Sequence, residues 1–509
     1  MSEKAQVTKL LIVKNGLFSL MSWVFPILIT LIVTPVIVHG LGLKAYGLFA
    51  VIYGFISYSF TFGIGRVAAK YVAELHPTDE SERMSAAISA AFIISVLLGL
   101  FVIVLVAFTA DYLVTELLVI PDELHSIATS ALYVASITIL ITMVSQVFQF
   151  MLQGLHRFDR FLLIANIAAV GLSIGNVGLV LNGFGVVALI VWNATVVGVG
   201  AVFFGVSAMR LLPTFKPTLS VNKNIWKAVL VYALSIVGYQ SFGNALLLFE
   251  RAWIVRKFGT ESLTFYVVPM ALCIYFHALV ASLVVVLFPV VNQLLKEKDK
   301  ILRLYRTSTK AILALTAFFV VTITVTGQLF LRTWMGSDEF SQRSGRILII
   351  HAVTFAILAV TTVPWQLTES FGVARLNAIA TGAWFFISVP LMVVLAETWQ
   401  TEGVAAARLL GVLALIPLIG IVEHRFLGGL LKSFWVRLTA KLAVAVAASA
   451  VVQWSIVHWL TGGWFSIALA GSLGGLAFVG ILWLVGFVDS EERDAFSELF
   501  GRARKAISG

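Results

Sequence analysis

Amide and charged side chains stand at helical spacing inside stretches that are otherwise apolar. Gln240, Asn244 and Arg251 occupy i, i+4 and i+11 in the run from Lys227 to Met270. At roughly 100° per residue they fall within about 40° of one line on a helix. Glu250 precedes Arg251, and Arg256, Lys257 and Gly259 close the run. Gln146, Gln149 and Gln153 form a second line at i, i+3 and i+7, and Thr362, Gln366 and Glu369 a third at i, i+4 and i+7. Arg66 and Lys70 lie one turn apart just after Gly63 and Gly65. Charge in hydrocarbon is costly enough to face a bundle interior or an aqueous cavity, so these positions are functional-site candidates by default. The amides have two open roles, hydrogen bonding between helices or binding a ligand. Arg66 and Lys70 have a plainer alternative as anchors at a helix end, and Glu250 and Arg251 as an outer interfacial pair.

The elements that must position them are membrane helices. The chain of 509 residues is 60% hydrophobic and 12% charged, with a mean hydropathy of +1.00. A bilayer core of roughly 30 Å needs about 20 apolar residues per helix, and runs of that length recur from end to end. The pattern predicts an all-α polytopic membrane protein with about fourteen spans, the first retained rather than cleaved as a signal peptide. A cytosolic N-terminus puts most of the 35 Lys and Arg on the inner side, which fixes the expected orientation. The basic clusters Lys296–Lys310 and Arg425–Lys441 then face inward, and the acidic segment Asp111–Glu123 outward. The net charge of +10 is thus a topology signal, and nucleic acid is not an expected partner. The single cysteine, Cys273, excludes disulfides within the chain.

An internal repeat organises the spans. Gly42 and Gly259 are 217 residues apart; Gly154 and Gly372 are 218 apart, with Arg157 and Arg375 at the same offset. Gly185-Val186 and Gly403-Val404 also differ by 218. A shared offset over three hairpins predicts two parallel six-helix lobes, a transporter architecture. The expected divisions are an N-terminal lobe 1–208, a cytosolic linker 209–226 with Pro213 and Pro217, a C-terminal lobe 227–426, two added spans in 427–488, and an amphipathic cytosolic tail 489–509. Pro26 and Pro35 in the first span are expected hinge positions.

Catalytic patterns are missing. There is no Gly-x-x-x-x-Gly-Lys-Ser/Thr loop and no His-Glu-x-x-His, the eight histidines are scattered, and no metal site or cofactor is expected. The energy source that remains open is coupling to an ion gradient.

Lys14-Asn15, Pro35, the stretch Gly42-Leu-Lys-Ala-Tyr46-Gly-Leu-Phe, Arg66-x-x-x-Lys70-Tyr71, Glu250-Arg251 and Gly259 followed by Tyr266 resemble polysaccharide flippases. These are the Wzx-like branch of the multidrug/oligosaccharidyl-lipid/polysaccharide exporter superfamily. Where that family often has aspartate before arginine in span seven, this chain has Glu250. The resemblance implies a non-enzymatic transporter of the cytoplasmic membrane with both termini cytosolic. Its cargo would be a polyprenyl-pyrophosphate-linked glycan moved from inner to outer leaflet for lipopolysaccharide or exopolysaccharide synthesis. Its partners would be membrane lipids, a glycan polymerase and glycosyltransferases. It assigns Arg66, Lys70 and Arg251 to the pyrophosphate or to gating, and the amides to the sugar. Three alternatives stay open: a cation-coupled multidrug exporter, a peptidoglycan-precursor flippase, and an integral-membrane glycan polymerase.

Overall fold

The computed structural model describes residues 28–58, 64–76, 78, 80–218, 223–285, 287–294, 297–460 and 462–489, with side chains except at 224, 232–240, 285, 288–290 and 293. The helices are α1 (Leu28–Leu41), α2 (Leu43–Tyr58), α3 (Gly65–Leu75), α4 (Ser81–Tyr112), α5 (His125–Gly154), α6 (Phe158–Leu181), α7 (Val186–Leu211), α8 (Lys223–Val285), α9 (Leu287–Leu294), α10 (Lys298–Met335), α11 (Asp338–Ser370), α12 (Arg375–Val412), α13 (Ile416–Phe426), α14 (Lys432–Trp459) and α15 (Trp464–Leu484). Helices dominate because hydrocarbon offers backbone N–H and C=O groups no partner, so each segment must satisfy its own.

Ten helical stretches are long and apolar enough to cross a membrane. Two of them, Ser241–Val284 and Arg375–Phe426, are broken, at Gly259 (φ +81°) and at Gln400 (φ +49°). Each supplies two spans, and the shorter apolar helices α1 and α2 supply two more, giving fourteen among the described residues. The protein is a multi-pass, all-α membrane protein. The breaks follow the repeat offset: Gly42 (φ +79°) separates α1 from α2 as Gly259 divides α8, and Gly183 (φ +79°) lies 217 residues before Gln400. Glycine carries the left-handed backbone without a Cβ clash.

The described chain forms two compact units. One contains the residues up to Leu283 together with Ala374–Leu415; the other contains Val284–Val373 and the residues from Ile416 onward. This partition follows spatial contact, and it divides the stretch 227–426 that the repeat groups together. In the first unit, α2 crosses the second half of α8 at Gly47, where a methyl group would lie 1.7 Å from the Thr260 carbonyl oxygen. Thr264 Oγ1 ties the same crossing by donating to the Leu43 carbonyl at 2.7 Å. In the second unit, α14 and α15 pack Leu438, Leu442, Phe478 and Leu482 against Leu313, Ala317 and Phe318 of α10. The α10–α11 hairpin turns on Gly336 (φ +61°), and Ser337 Oγ caps α11 by accepting from Phe340 N at 3.1 Å. The tail from residue 490 lies outside the described residues.

Candidate functional site

Two glycines let α3 lie directly on α5. A methyl group at Gly65 would stand 2.7 Å from the Gln146 carbonyl oxygen, and one at Gly154 would stand 2.7 Å from the Ala69 carbonyl oxygen. Small residues allow such backbone approach between membrane helices. Arg66 follows Gly65, and Lys70 follows Ala69, so both cations flank the seam that begins at Gln146 and ends beside Gln153. Arg66 is half-buried and Lys70 exposed, its Nζ 5.5 Å from the Tyr71 ring centroid. Gln146, Gln149 and Gln153 are all half-buried. Gln149 Nε2 donates to Ser145 Oγ at 3.0 Å, within its own helix. The fold thus joins two of the sequence candidates' groups in one helix pair.

The adjacent residues Glu250 and Arg251 go to different neighbours. Glu250 is fully buried and forms an ion pair with Arg408 of α12, which is 2% exposed. The Arg408 guanidinium lies 5.2 Å from the Trp384 ring centroid. Buried Tyr266 stands in the field of Glu250, Arg408 and Arg251. Arg251, 7% exposed, turns to α2: its Cζ is 4.9 Å from the Tyr58 ring centroid, and Nη1 donates to the Leu247 carbonyl at 3.0 Å. Gly54 makes room, since a methyl there would meet Arg251 Cδ at 2.7 Å. Both charges are buried among helices, an arrangement unlike that of an outer interfacial pair.

Of the remaining candidates in this unit, Asn244 is half-buried on α8, and Gln240 lies on the same helix without a described side chain. Pro35 is half-buried within α1, whereas Pro26 lies outside the described residues. In the second unit, Gln366 and Glu369 are half-buried on α11. Trp365 Nε1 donates to Glu369 Oε1 at 2.9 Å, which orients that carboxylate along its own helix. Among the described residues no three His, Cys, Asp or Glu side chains converge as a metal site.

The sequence pattern of the family described as "polysaccharide biosynthesis protein" matches residues 41–339. The chain belongs to this family. Among curated proteins none matches. Solved structures share the fold of this family member at low identity. The lipid II flippase MurJ in an inward closed conformation is 13% identical with a TM-score of 0.73, over 91% of this chain and 98% of that one. An inward-facing multidrug resistance MATE transporter of the MOP superfamily is 16% identical with a TM-score of 0.66, over 84% and 96%. A MOP superfamily transporter from Pyrococcus furiosus is 16% identical with a TM-score of 0.58, over 84% and 96%. The fold is therefore that of MOP transporters.

Sequence reasoning about this polysaccharide biosynthesis family member missed Arg408. It is the lone charge in the apolar run Gly403–Leu415, and the rule that singled out Arg251 applies to it equally. It also missed Glu423 of α13, 2% exposed, which accepts from Tyr305 Oη at 2.9 Å, Trp435 Nε1 at 2.6 Å and Leu431 N at 2.9 Å. Glu423 and its donors lie in the second unit, and three good donors make it a structural clamp joining α10, α13 and α14.

Proposed function

We propose that the chain is a flippase, carrying a polyprenyl-pyrophosphate-linked oligosaccharide from the inner to the outer leaflet by alternating access of two six-helix lobes. The observation that carries this reading is the α3–α5 seam, where Arg66 and Lys70 flank a line of three glutamines. Diphosphate needs fixed cations with several donors, and sugar hydroxyls need amides that both donate and accept. A drug-like hydrophobic cation would be repelled by the two fixed cations. Membership in a polysaccharide biosynthesis family agrees with a glycan cargo, and the fold shared with the lipid II flippase MurJ agrees with a lipid-linked one. In the second unit, a groove of about 1220 Å³ between α10, α11, α13 and α14 is lined by Leu313, Val320, Val353, Ile357 and Ile419. Its apolar wall suits an isoprenoid chain.

In this reading the protein works in the cytoplasmic membrane with both termini cytosolic, and it hands its cargo to a polymerase that builds lipopolysaccharide or exopolysaccharide. It moves lipid without making or breaking a covalent bond. Arg66, Lys70 and the glutamines of α5 meet the headgroup; Gln240, Asn244 and Gln366 are further partners for the sugar; and Glu250, Arg251 and Glu369 gate, with Pro35 the hinge of the first span. The test is Arg66→Gln with Gln149→Leu in cells whose surface glycan is quantified. Loss of surface glycan at normal protein abundance supports the reading, and unchanged glycan removes the seam from the cargo route.

A further inference from the structure

Two basic helix faces meet at one hollow of the second unit. Arg306 and Lys310 stand one turn apart on α10, and Arg437 and Lys441 one turn apart on α14; all four line a hollow of about 320 Å³. Phe434, Leu438 and Phe487 form its apolar wall, and Ser433 adds a hydroxyl. Among the described residues Asp489 is the one carboxylate of the lining, and it pairs with Lys310 Nζ at 2.9 Å, so the described lining carries a net positive charge. The cations are held: Lys441 Nζ donates to the Gly486 carbonyl at 2.5 Å, Lys310 Nζ is 5.5 Å from the Phe487 ring centroid, and Arg306 Cζ is 5.9 Å from that of Phe434. Arg306 and Arg437 remain exposed.

The hollow sits where the charged starts of two helices give way to their apolar stretches. Cations fill the first turns of α10 and α14, and apolar residues follow in both. Val436, beside Arg437, begins an exposed apolar stripe that continues through Val444 and Val451 at helical spacing. A headgroup held by the arginines would therefore lay its chains along that stripe.

We infer that this hollow binds the phosphate headgroup of an anionic membrane phospholipid. A phosphodiester offers oxygens to two guanidinium forks, which match its geometry bidentately, and basic pockets between spans at the membrane surface retain such lipids. The site does not depend on the identity of the transported cargo. It would fasten α10, α14 and residues 485–489 to the bilayer surface.

The full-length protein in neutral detergent is titrated with phosphatidylglycerol and, separately, with phosphatidylcholine of the same chains, and bound lipid is counted by native mass spectrometry. Wild type is expected to prefer phosphatidylglycerol. Arg306→Gln with Arg437→Gln is expected to lower that preference roughly 10- to 30-fold, while Lys223→Gln with Lys227→Gln, exposed cations of the first unit, leaves it intact. Arg437→Gln alone, expected to lose part of the preference, serves if the double variant fails to elute as a single species. Equal binding of the two lipids by wild type, or an unchanged preference in the arginine variants, overturns the site. Displacement of phosphatidylglycerol by equimolar farnesyl diphosphate, or by millimolar inorganic phosphate, would assign the hollow to cargo or to free phosphate and overturn it as a bilayer-lipid site.

Discussion

Glu250 and Arg408, 158 residues apart in the chain, form an ion pair between α8 and α12 that is sealed from solvent. Removing one member of such a pair strands the other, at a cost of about 3–5 kcal/mol, whereas replacing both by apolar residues is often neutral. Arg408→Met is therefore expected to lower the thermal transition and the cellular abundance sharply. Glu250→Leu combined with Arg408→Met is expected to restore most of both. Melting curves of the purified proteins check this, and a double variant as unstable as the single one would show that the pair itself is not what couples the two positions.

Arg251 is positioned by what Gly54 lacks. A leucine at residue 54 must displace the guanidinium from Tyr58, because even a methyl would lie 2.7 Å from Cδ. Gly54→Leu is expected to reduce surface glycan as much as Arg251→Ala does, with protein still present in the membrane by immunoblot. Arg251→Lys keeps the charge and loses the planar contact with Tyr58, so intermediate export is expected.

The crossing of α2 and α8 tolerates no side chain at residue 47. Gly47→Ala forces backbone apart at the Thr260 carbonyl, and overpacking of this kind costs about 1–3 kcal/mol or more. The expected result is a lower melting temperature for Gly47→Ala with little change for Gly243→Ala, where a methyl meets nothing within 4 Å.

Glu423 holds three donors, and hydrogen bonds to a charged group are worth about 1.5–3 kcal/mol each against about 0.5–1.5 for neutral ones. Glu423→Gln is expected to destabilise more than Tyr305→Phe, which removes one donor. Tyr305→Phe, outside the groove, is expected to retain export below its transition, because it removes only one donor of the clamp. Thermal melts of the two variants and a surface-glycan assay of Tyr305→Phe measure each half of the statement.

Much of the fold was legible in the amino-acid sequence because each span must carry its own apolar run. Fourteen spans follow from that rule alone. The repeat offset also located real helix breaks, since Gly42 and Gly259 supply the left-handed backbone that a tight turn between spans needs. Gln400 gave no such signal: it adopts positive φ without being glycine. The candidate residues were legible as separate lines on separate helices. The pairings the fold makes were not, because nothing in the residue types tells Gly65 that it faces Gln146, or Glu250 that its partner is Arg408 and not its neighbour. The basic clusters read as topology signals, yet only the fold brings Arg306 and Arg437 to one hollow.

Transbilayer movement of a lipid-linked glycan is measured most directly by its leaflet location in cells lacking this chain. The lipid-linked oligosaccharide is expected to accumulate on the cytosolic leaflet and to return to the outer leaflet on re-expression of wild type, but not of Arg66→Gln with Gln149→Leu. Single repeat units found on the outer leaflet, unpolymerised, in those same cells would contradict it and make the chain a polymerase instead.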